Sequence, residues 1–285
     1  MPHDNSPHPA SINRDSKDYW NKRAATFTRY ATEDYERWLM NLLSPAMGET
    51  ILDMGCATGT LALPLARAGH HVHACDFAEA MLTILDQRAA AENLPITSHL
   101  LAWDEDWSRA GLGENSVDCA FASRSLMSDH TLSRISKLDA TARVKAAVVV
   151  PNSLPPSSDP RLLTYLGRKA KRPSTVPEVL RALRYLGRIP VTATTNTYRP
   201  MRFNSFDEAR ADLRRLARPE PFTAREQRLF DAYARDHFIE VPAVQTANGL
   251  SDDHSDSPQT QWVLNYPLPV IWTFIGWRTD GSEWE

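Results

Sequence analysis

The order of hydrophobic and polar residues predicts alternating strands and helices in the first half of the chain. Between residues 45 and 150, short apolar runs alternate with segments whose apolar positions recur at helical spacing. Runs such as residues 146–150 have no polar face, which is typical of strands covered by helices on both sides. We therefore expect a parallel sheet between two helical layers. The predicted strands are 50–54, 71–75, 96–103, 117–123 and 146–150, and the predicted helices are 60–68, 78–92 and 131–143.

The flanking segments follow a different pattern. Residues 18–43 predict one helix, capped by Asp18 and with Trp20, Ala24 and Phe27 on one face. In the second half we expect pieces that add two strands to the sheet and place a helical insertion between them. The pattern there predicts helices at 176–186, 206–216 and 223–235, strands at 191–198 and 269–277, and a Pro- and Ser-rich loop at 152–160. Three segments result: a flexible leader at 1–17, a core at 18–150, and a part completing the sheet and forming a substrate cap at 151–285.

Composition and charge narrow the class of protein. The chain has 285 residues, of which 42% are hydrophobic and 24% charged, as in ordinary globular proteins. No apolar run approaches the roughly 18 residues of a membrane span, and the polar leader lacks the apolar stretch of a secretory signal. Cys56, Cys75 and Cys119 lie in or beside apolar runs, which predicts reduced thiols and a cytoplasmic protein.

The charge is uneven along the chain. The net charge is −3, but residues 161–228 contain 16 Lys and Arg against 6 Asp and Glu. A basic stretch of this kind favours phosphate or RNA binding. It lacks the interleaved aromatic residues that single-strand binders use for stacking, so solvated faces that balance acidic neighbours are the alternative.

The end of the first predicted strand is the main candidate site. Ligands of open parallel sheets bind beyond the carboxyl ends of the strands, where the strand order reverses. Gly55 and Gly59 allow a tight turn and a close approach of backbone to ligand. Asp76 ends the next strand, where a carboxylate accepts two ribose hydroxyls, and Phe77 and Met81 follow beside a purine. A dinucleotide site would require G-x-G-x-x-G, whereas the chain has G-x-x-x-G, which disfavours a nicotinamide cofactor.

Asp53-x-Gly55-x-x-x-Gly59 resembles the first motif of class I S-adenosylmethionine-dependent methyltransferases. The resemblance continues through Gly69-His70-His71-Val72 to Asp76-Phe77-Ala78-Glu79-Ala80-Met81-Leu82 and covers about residues 45–150. It implies an α/β fold with a doubly wound, Rossmann-like, seven-stranded, mostly parallel sheet. It also implies that an N-terminal lid helix, beginning at Asp18-Tyr19-Trp20, closes over S-adenosyl-L-methionine.

The resemblance assigns roles to individual residues. Backbone at Gly55 and Ala57 would approach the methionine part, Asp53 its amino group, Asp76 the ribose, and Asp104 the adenine amine. Each assignment has an alternative: Asp53 as a helix cap, Phe77 and Met81 as core, Trp103 as packing under a loop, and Arg124 as solvated surface. The expected cofactor contacts are Asp53, Gly55, Cys56, Ala57, Gly59, Asp76, Phe77, Met81, Trp103, Asp104 and Ser123.

Methyl transfer from a sulfonium is an in-line displacement that needs no covalent residue, and it needs a base only if the acceptor holds its proton. His130 and Tyr19 are the catalytic candidates. Trp20, Tyr30 and Arg124 are the acceptor-binding candidates, with Arg124 suited to an acidic group. We predict a small-molecule acceptor, no membrane contact, no metal and a homodimer as one possible assembly. An RNA or tRNA methyltransferase and a non-catalytic cofactor-binding protein are the alternatives.

Overall fold

Ten strands form two sheets in the described part of the chain. The computed structural model describes residues 16–25, 27, 33–126, 130–152, 158–169, 175–199, 201–217, 221–242 and 260–284. The strands are β1 (Thr50–Met54), β2 (His71–Asp76), β3 (Ile96–Leu100), β4 (Val117–Ser123), β5 (Ala142–Pro151), β6 (Pro190–Tyr198), β7 (Arg202–Phe203), β8 (Phe238–Pro242), β9 (Thr260–Leu264) and β10 (Pro269–Arg278).

Helices connect most of these strands. The described helices are α1 (Lys17–Ala24), α2 (Glu33–Leu43), α3 (Ala62–Arg67), α4 (Glu79–Ala91), α5 (Thr131–Thr141), α6 (Pro160–Tyr165), α7 (Thr175–Tyr185), α8 (Phe206–Arg215) and α9 (Ala224–His237), with a 3-10 turn at Trp107–Ala110.

The large sheet has the strand order β3-β2-β1-β4-β5-β10-β6. β1 pairs in parallel with both β2 and β4, so the chain reverses its direction of winding at β1. In sheets of this kind a crevice opens between the loops that follow the two strands flanking the reversal. The predicted fold class is confirmed, and the reversal places the candidate site above β1, β2 and β4.

The central strands are buried on both faces, as their apolar runs predict. Ile51 and Leu52 of β1 are both 0% exposed, although consecutive side chains of a strand point to opposite faces. Phe121 of β4 is 1% exposed and Val148 of β5 is 0% exposed. The apolar character of these runs therefore reflects helices packed on both sides of the sheet.

The predicted helix over residues 18–43 is wrong as a single element. Helix α1 ends at Ala24 and α2 begins at Glu33, and the N-cap of α1 is Ser16, whose side chain accepts a hydrogen bond from the Tyr19 N–H, rather than Asp18. Of the apolar residues that suggested one helix, Trp20 and Ala24 lie in α1, whereas Phe27 lies beyond its end.

The third strand is shorter than predicted and ends at Leu100. The chain then turns, because the Ala102 N–H donates to Glu105 Oε2 at 2.8 Å and Trp107 Nε1 donates to the Ala102 carbonyl at 3.0 Å. Trp103 and Asp104 therefore lie in the loop after β3 and not at the end of the strand.

The chain divides into two compact units. The first comprises residues 1–150, 177–193 and 273–285, and the second comprises residues 151–176 and 194–272. The second contains an antiparallel sheet in the order β7-β9-β8, which the sequence pattern did not predict. The segment boundaries given above from sequence remain a prediction.

The second unit has its own core and a buried polar network. Phe230 and Leu213 are both 0% exposed and pack with Leu264. Asp159, also 0% exposed, caps α6 and accepts a hydrogen bond from the Tyr266 hydroxyl. In the described part of the chain no helix is both long enough and apolar enough to cross a membrane.

Asp139 supports a testable prediction about the first unit. Its Oδ1 accepts hydrogen bonds from Trp277 Nε1 at 2.9 Å and Arg188 Nε at 2.8 Å, and its Oδ2 accepts one from Arg188 Nη2 at 3.0 Å. Because Trp277 is 0% exposed, Asp139→Ala leaves a buried N–H without this acceptor. We expect the free energy of unfolding, measured in urea, to fall by about 1–3 kcal/mol. The exposed Glu114→Ala control should change it by less than about 0.5 kcal/mol, and equal effects would contradict the prediction.

Candidate functional site

The turn after β1 contacts the end of β2 and has several residues in the left-handed backbone region. Gly55 and Gly59 have φ of 82° and 89°, and Ala57 between them has φ of 48°. The N–H groups of Gly55 and Cys56 both donate to the Cys75 carbonyl, at 2.7 and 3.0 Å. A non-glycine residue in the left-handed region is held there by its surroundings, and such residues concentrate at functional sites.

Gly55 is required by crowding as well as by its φ. A Cβ atom at Gly55 would lie 2.2 Å from Ser125 Cβ, in the loop after β4. Ser125 cannot easily move, because its Oγ donates to the Met54 carbonyl at 2.5 Å. The loops after β1 and β4 are therefore joined directly, and a side chain at position 55 would separate them.

Asp76 connects the β1 turn with the start of α4. Its Oδ2 accepts the Ala57 N–H and its Oδ1 accepts the Ala78 N–H, both at 2.9 Å. Burial raises the pKa of this carboxyl, and these backbone hydrogen bonds oppose the rise. Since each carboxylate oxygen has a second lone pair, Asp76 retains capacity to accept hydroxyl donors.

Asp53 lies at the end of β1 and is 2% exposed. The N-cap of α3 is Leu61, which makes no side-chain capping hydrogen bond, and both the cofactor role and the capping role of Asp53 stay predictions. Burial, reinforced by the nearby Asp76, raises its pKa to about 8, and Arg124 acts in the opposite direction. A cation that binds beside this carboxyl would stabilise its ionised form.

The loop after β4 carries a cation fixed on an aromatic ring. Tyr35 of α2 is 2% exposed, and its hydroxyl lies 2.6 Å from Ser123 Oγ. Arg124 follows with φ of 61°, and its guanidinium carbon lies 4.5 Å from the centre of the Tyr35 ring. Burial raises the pKa of Tyr35, while Arg124 and the hydrogen bond with Ser123 oppose the rise.

The loop after β3 places Trp103 beside the β4 loop but leaves Asp104 outside. Trp103 Nε1 donates to the Ser125 carbonyl at 3.3 Å, and the Trp103 carbonyl accepts Lys137 Nζ at 2.6 Å. The Asp104 side chain is 81% exposed and lies 3.8 Å from Arg134. Their contacts with adenine remain predictions.

Helix α1 packs on the first turn of α4. Met81 is 1% exposed and belongs to a cluster with Ala24 and Ala78, against which Trp20 and Phe27 pack. Asn21 Oδ1 accepts the N–H of Ala80 at 3.0 Å, and the N-cap Ala78 has no side-chain oxygen of its own. Helix α1 thus supplies a cap that the sequence of α4 lacks.

The described contacts of the catalytic candidates do not assign a catalytic role to them. The Tyr19 ring meets Trp20 edge-on, with ring centres 5.4 Å apart. His130 is exposed, has φ of 61° and begins α5, where it lines an open groove of about 660 Å³ with Glu178 and Arg181. Tyr30 lies outside the described residues. The roles of all three remain predictions.

Three residues of the site were missed by sequence reasoning: Asn21, Tyr35 and Ser125. Asn21 and Tyr35 were hidden because a single helix over 18–43 was expected, so no residue of that segment was placed relative to β4 or α4. Ser125 could have been predicted from the sequence. It directly follows Ser123 and Arg124, and a glycine at position 55 indicates that another residue packs closely against the turn after β1. Within the described ranges no group of three His, Cys, Asp or Glu is arranged to hold a metal ion.

Comparison with known proteins supports what this geometry indicates. Residues 51–145, which run from β1 into β5, match the family model of a methyltransferase domain. Over residues 51–145 the chain is therefore similar to methyltransferase domains. The resemblance inferred from Asp53-x-Gly55-x-x-x-Gly59 is thereby confirmed.

Curated relatives match this chain over limited lengths. An uncharacterized protein of Haemophilus influenzae is 31% identical over 127 residues, which is 44% of this chain and 46% of that protein. A demethylmenaquinone methyltransferase of Clavibacter sepedonicus is 43% identical over 51 residues, 18% of this chain and 21% of that enzyme. The chain therefore spans less than half the length of these relatives.

Solved structures share the fold over most of the chain. The YcgJ protein from Bacillus subtilis has a TM-score of 0.52 at 11% identity, covering 87% of this chain and 98% of that one. A geranyl diphosphate C-methyltransferase from Streptomyces coelicolor A3(2) has a TM-score of 0.50 at 13% identity, covering 94% and 83%. At these identities the likeness concerns the fold.

The crowding at Gly55 of the methyltransferase domain predicts a difference between two glycines. Gly48 also has a left-handed φ, 78°, but a Cβ there would meet nothing within 4 Å. Gly48→Ala should cost about 1–2 kcal/mol of unfolding free energy, the conformational penalty alone. Gly55→Ala should cost about 1–3 kcal/mol more, because Ser125 must also shift. Thermal and urea unfolding of both variants measures the difference, and equal costs would show that the Ser125 contact imposes no constraint.

The buried Asp53 predicts a pH dependence of stability. Its pKa of about 8 in the folded protein exceeds the ordinary carboxyl value, so the folded state retains a proton that the unfolded state has lost. The contribution of Asp53 to stability is full in acid and declines as the pH rises toward 8. Asp53→Asn removes this titration, so its unfolding free energy should fall less steeply than that of the unmodified protein between pH 5 and 8. Parallel curves would contradict the prediction.

Proposed function

We propose that this protein transfers the methyl group of S-adenosylmethionine to a small-molecule acceptor. The observation that carries the proposal is the joined turn at the reversal of strand order, in which Asp76 accepts the N–H groups of Ala57 and Ala78 and retains capacity for further donors. The turn, the acidic strand end and the following helix are the parts that a nucleoside-bearing ligand requires in such sheets.

The donor set suits the cofactor. Asp53 offers a carboxylate with a raised pKa to the cofactor's ammonium group, and Asp76 offers acceptor capacity to its ribose hydroxyls. The close approach at Gly55 and Ala57 suits its methionine part. Phe77 and Trp103 supply apolar surface on the adenine side, and Asp104 is the candidate for the adenine amine. Met81 is 1% exposed in the cluster with Ala24 and Ala78, so in the free protein it offers almost no surface to a ligand.

The bound cofactor supplies an electrophilic methyl group on its sulfonium, and the protein supplies position. Tyr35 and Ser123 fix the end of β4, while Ser125 joins it to the β1 turn. An aligned, preorganised acceptor accounts for much of the acceleration of such a displacement. If the acceptor carries a proton that must leave, His130 and Tyr19 are the candidate bases.

The basic segment gives little support to an RNA acceptor. Among the 16 basic residues of the segment 161–228, the following four are paired with carboxylates inside or outside it: Arg168 with Glu226 at 2.7 Å, Arg188 with Asp139 at 2.8 Å, Arg199 with Asp212 at 3.0 Å, and Arg210 with Asp231 at 2.5 Å. Paired guanidinium groups attract phosphate less than solvated ones. This favours the small-molecule proposal, which also agrees with the acceptor named for the Streptomyces coelicolor enzyme.

Asp76→Ala should weaken the binding of S-adenosylhomocysteine, the demethylated cofactor, by about 1–3 kcal/mol, because a set of charged hydrogen bonds is lost. Calorimetry measures the affinity, and the free protein's unfolding must be recorded in parallel, since Asp76 also holds two backbone N–H groups. Glu79→Ala, which changes an exposed carboxylate at the start of α4, is the matched control. Unchanged affinity in Asp76→Ala would show that the ribose is placed wrongly.

The activity itself is tested by incubating the protein with S-adenosylmethionine labelled in its methyl group and with fractionated cell extract. We expect label in the small-molecule fraction. Label in RNA would favour the alternative acceptor class. Cofactor binding without transfer to any fraction would favour a non-catalytic role.

A further inference from the structure

The loop after β3 starts at an edge of the large sheet. In the described part of the chain β3 pairs with β2 alone, and the strand ends at Leu100, whose partner in the register is Asp76. The proposed function assigns Trp103 and Asp104 of this loop to the adenine of the cofactor. Because an edge strand supports its loop from one side, contacts with other elements must fix the geometry of these two residues.

Lys137 of α5 binds this loop through two main-chain carbonyls. Its Nζ donates to the Trp103 carbonyl at 2.6 Å and to the Glu105 carbonyl at 2.8 Å. An ammonium group has three N–H donors, so it can hold both carbonyls at once. The two carbonyls belong to the residues on either side of Asp104, whose side chain is 81% exposed. One ammonium group therefore holds the main chain on both sides of Asp104.

The Lys137 ammonium is itself held in place. Its helix is packed firmly, since Ile135 and Leu138 are both 0% exposed. Its Nζ lies 5.4 Å from the centre of the Trp107 ring, a distance at which a cation is attracted to an aromatic face. The Trp107 ring is 4% exposed, and its Nε1 donates to the Ala102 carbonyl at 3.0 Å. Lys137 therefore connects a packed helix with a fixed ring and with the loop.

The side chains of the loop have separate contacts. Trp103 Nε1 donates to the Ser125 carbonyl at 3.3 Å, so the Trp103 ring is connected to the loop after β4. Arg134, which precedes Lys137 by one helical turn, has its guanidinium carbon 5.7 Å from the centre of the Trp103 ring and its Nη2 3.8 Å from Asp104 Oδ1. Loss of the Lys137 ammonium would thus leave the Trp103 side-chain bond in place and release the main chain around Asp104.

The chemistry of the base shows what such a release would affect. The adenine amino group donates hydrogen bonds, which a carboxylate such as that of Asp104 accepts. Hypoxanthine has an oxygen at the same position, and a carboxylate repels it. A site built to accept an N–H group discriminates strongly against an analogue that lacks it, provided that the acceptor is held in position.

Resting on the proposed function, we infer that Lys137 is a positioning residue for recognition of the base. By holding the Trp103 and Glu105 carbonyls, it places the Asp104 carboxylate where the carboxylate accepts the adenine amino group and rejects a base with an oxygen there. In this scheme Lys137 acts through the loop, and Asp104 is the residue that contacts the cofactor.

The test compares S-adenosylhomocysteine with S-inosylhomocysteine, in which an oxygen replaces the adenine amino group. Calorimetry measures the affinity of both ligands for the full-length unmodified protein and for Lys137→Met, Lys137→Gln and Lys169→Met. Methionine keeps an unbranched, helix-forming side chain without N–H donors, and glutamine keeps one donor group. Lys169, an exposed lysine of the second unit, is the matched control.

We expect the unmodified protein to bind S-adenosylhomocysteine about tenfold more tightly than S-inosylhomocysteine. Lys137→Met should lower the affinity for S-adenosylhomocysteine more than that for S-inosylhomocysteine, so that the preference falls below about threefold. Lys137→Gln should give an intermediate preference, and it decides the question if Lys137→Met does not fold. Lys169→Met should keep the full preference. Urea unfolding of each variant separates a change in affinity from a change in stability.

Two results would overturn the inference and leave the proposed function intact. An equal loss of affinity for both ligands in Lys137→Met, with the preference retained, would show that Lys137 supports only the fold. Equal affinity of the unmodified protein for both ligands would show that the loop does not recognise the amino group. Absence of S-adenosylhomocysteine binding to the unmodified protein would instead refute the proposed function, and this inference with it.

Discussion

The carboxylate of Asp76 is the contact on which the geometry of the site depends. With one oxygen on the Ala57 N–H and the other on the Ala78 N–H, it joins the turn after β1 to the first turn of α4. Ala57 has a left-handed φ of 48°, a conformation that needs an external partner to persist. The same carboxylate thus stabilises a strained turn, begins a helix whose own N-cap residue is alanine, and presents acceptor atoms to the crevice.

A second set of contacts holds the other side of the crevice. Ser125 bonds to Met54, and Ser123 lies against the hydroxyl of Tyr35, so the loop after β4 is connected both to β1 and to α2. The required absence of a side chain at Gly55 follows from that connection, because the two loops meet where its Cβ would stand. Gly55 therefore allows the loops after β1 and β4 to pack together, in addition to allowing a ligand to approach the backbone.

The parts of this structure that depend on local pattern were predictable from sequence. β1, β2 and β4 are apolar, short and bounded by turn residues, and their positions agree with prediction within a residue. The glycine turn and its acidic partner also follow from spacing along one chain segment. What pattern did not predict depends on contacts distant in sequence: the interruption between α1 and α2, Asn21 capping α4, and Tyr35 meeting Ser123. The small sheet of the second unit was missed for a similar reason, since β7 is only a two-residue strand, Arg202–Phe203, and has no periodicity to detect.

The electrostatics of the free site suggest that cofactor binding is coupled to the loss of the proton on Asp53. Asp53 and Asp76 are buried at adjacent strand ends. Burial raises the pKa of both carboxyls, and Asp76 also raises that of Asp53. A ligand cation bound beside Asp53 would relieve the cost of ionisation, because a nearby positive charge favours the ionised form of the carboxyl. Cation binding at Asp53 should therefore displace a proton near neutral pH, and affinity should rise with pH until Asp53 is ionised in the free protein. Burial of Asp53 thus favours the binding of a positively charged ligand over a neutral one, because only the charged ligand stabilises the buried carboxylate.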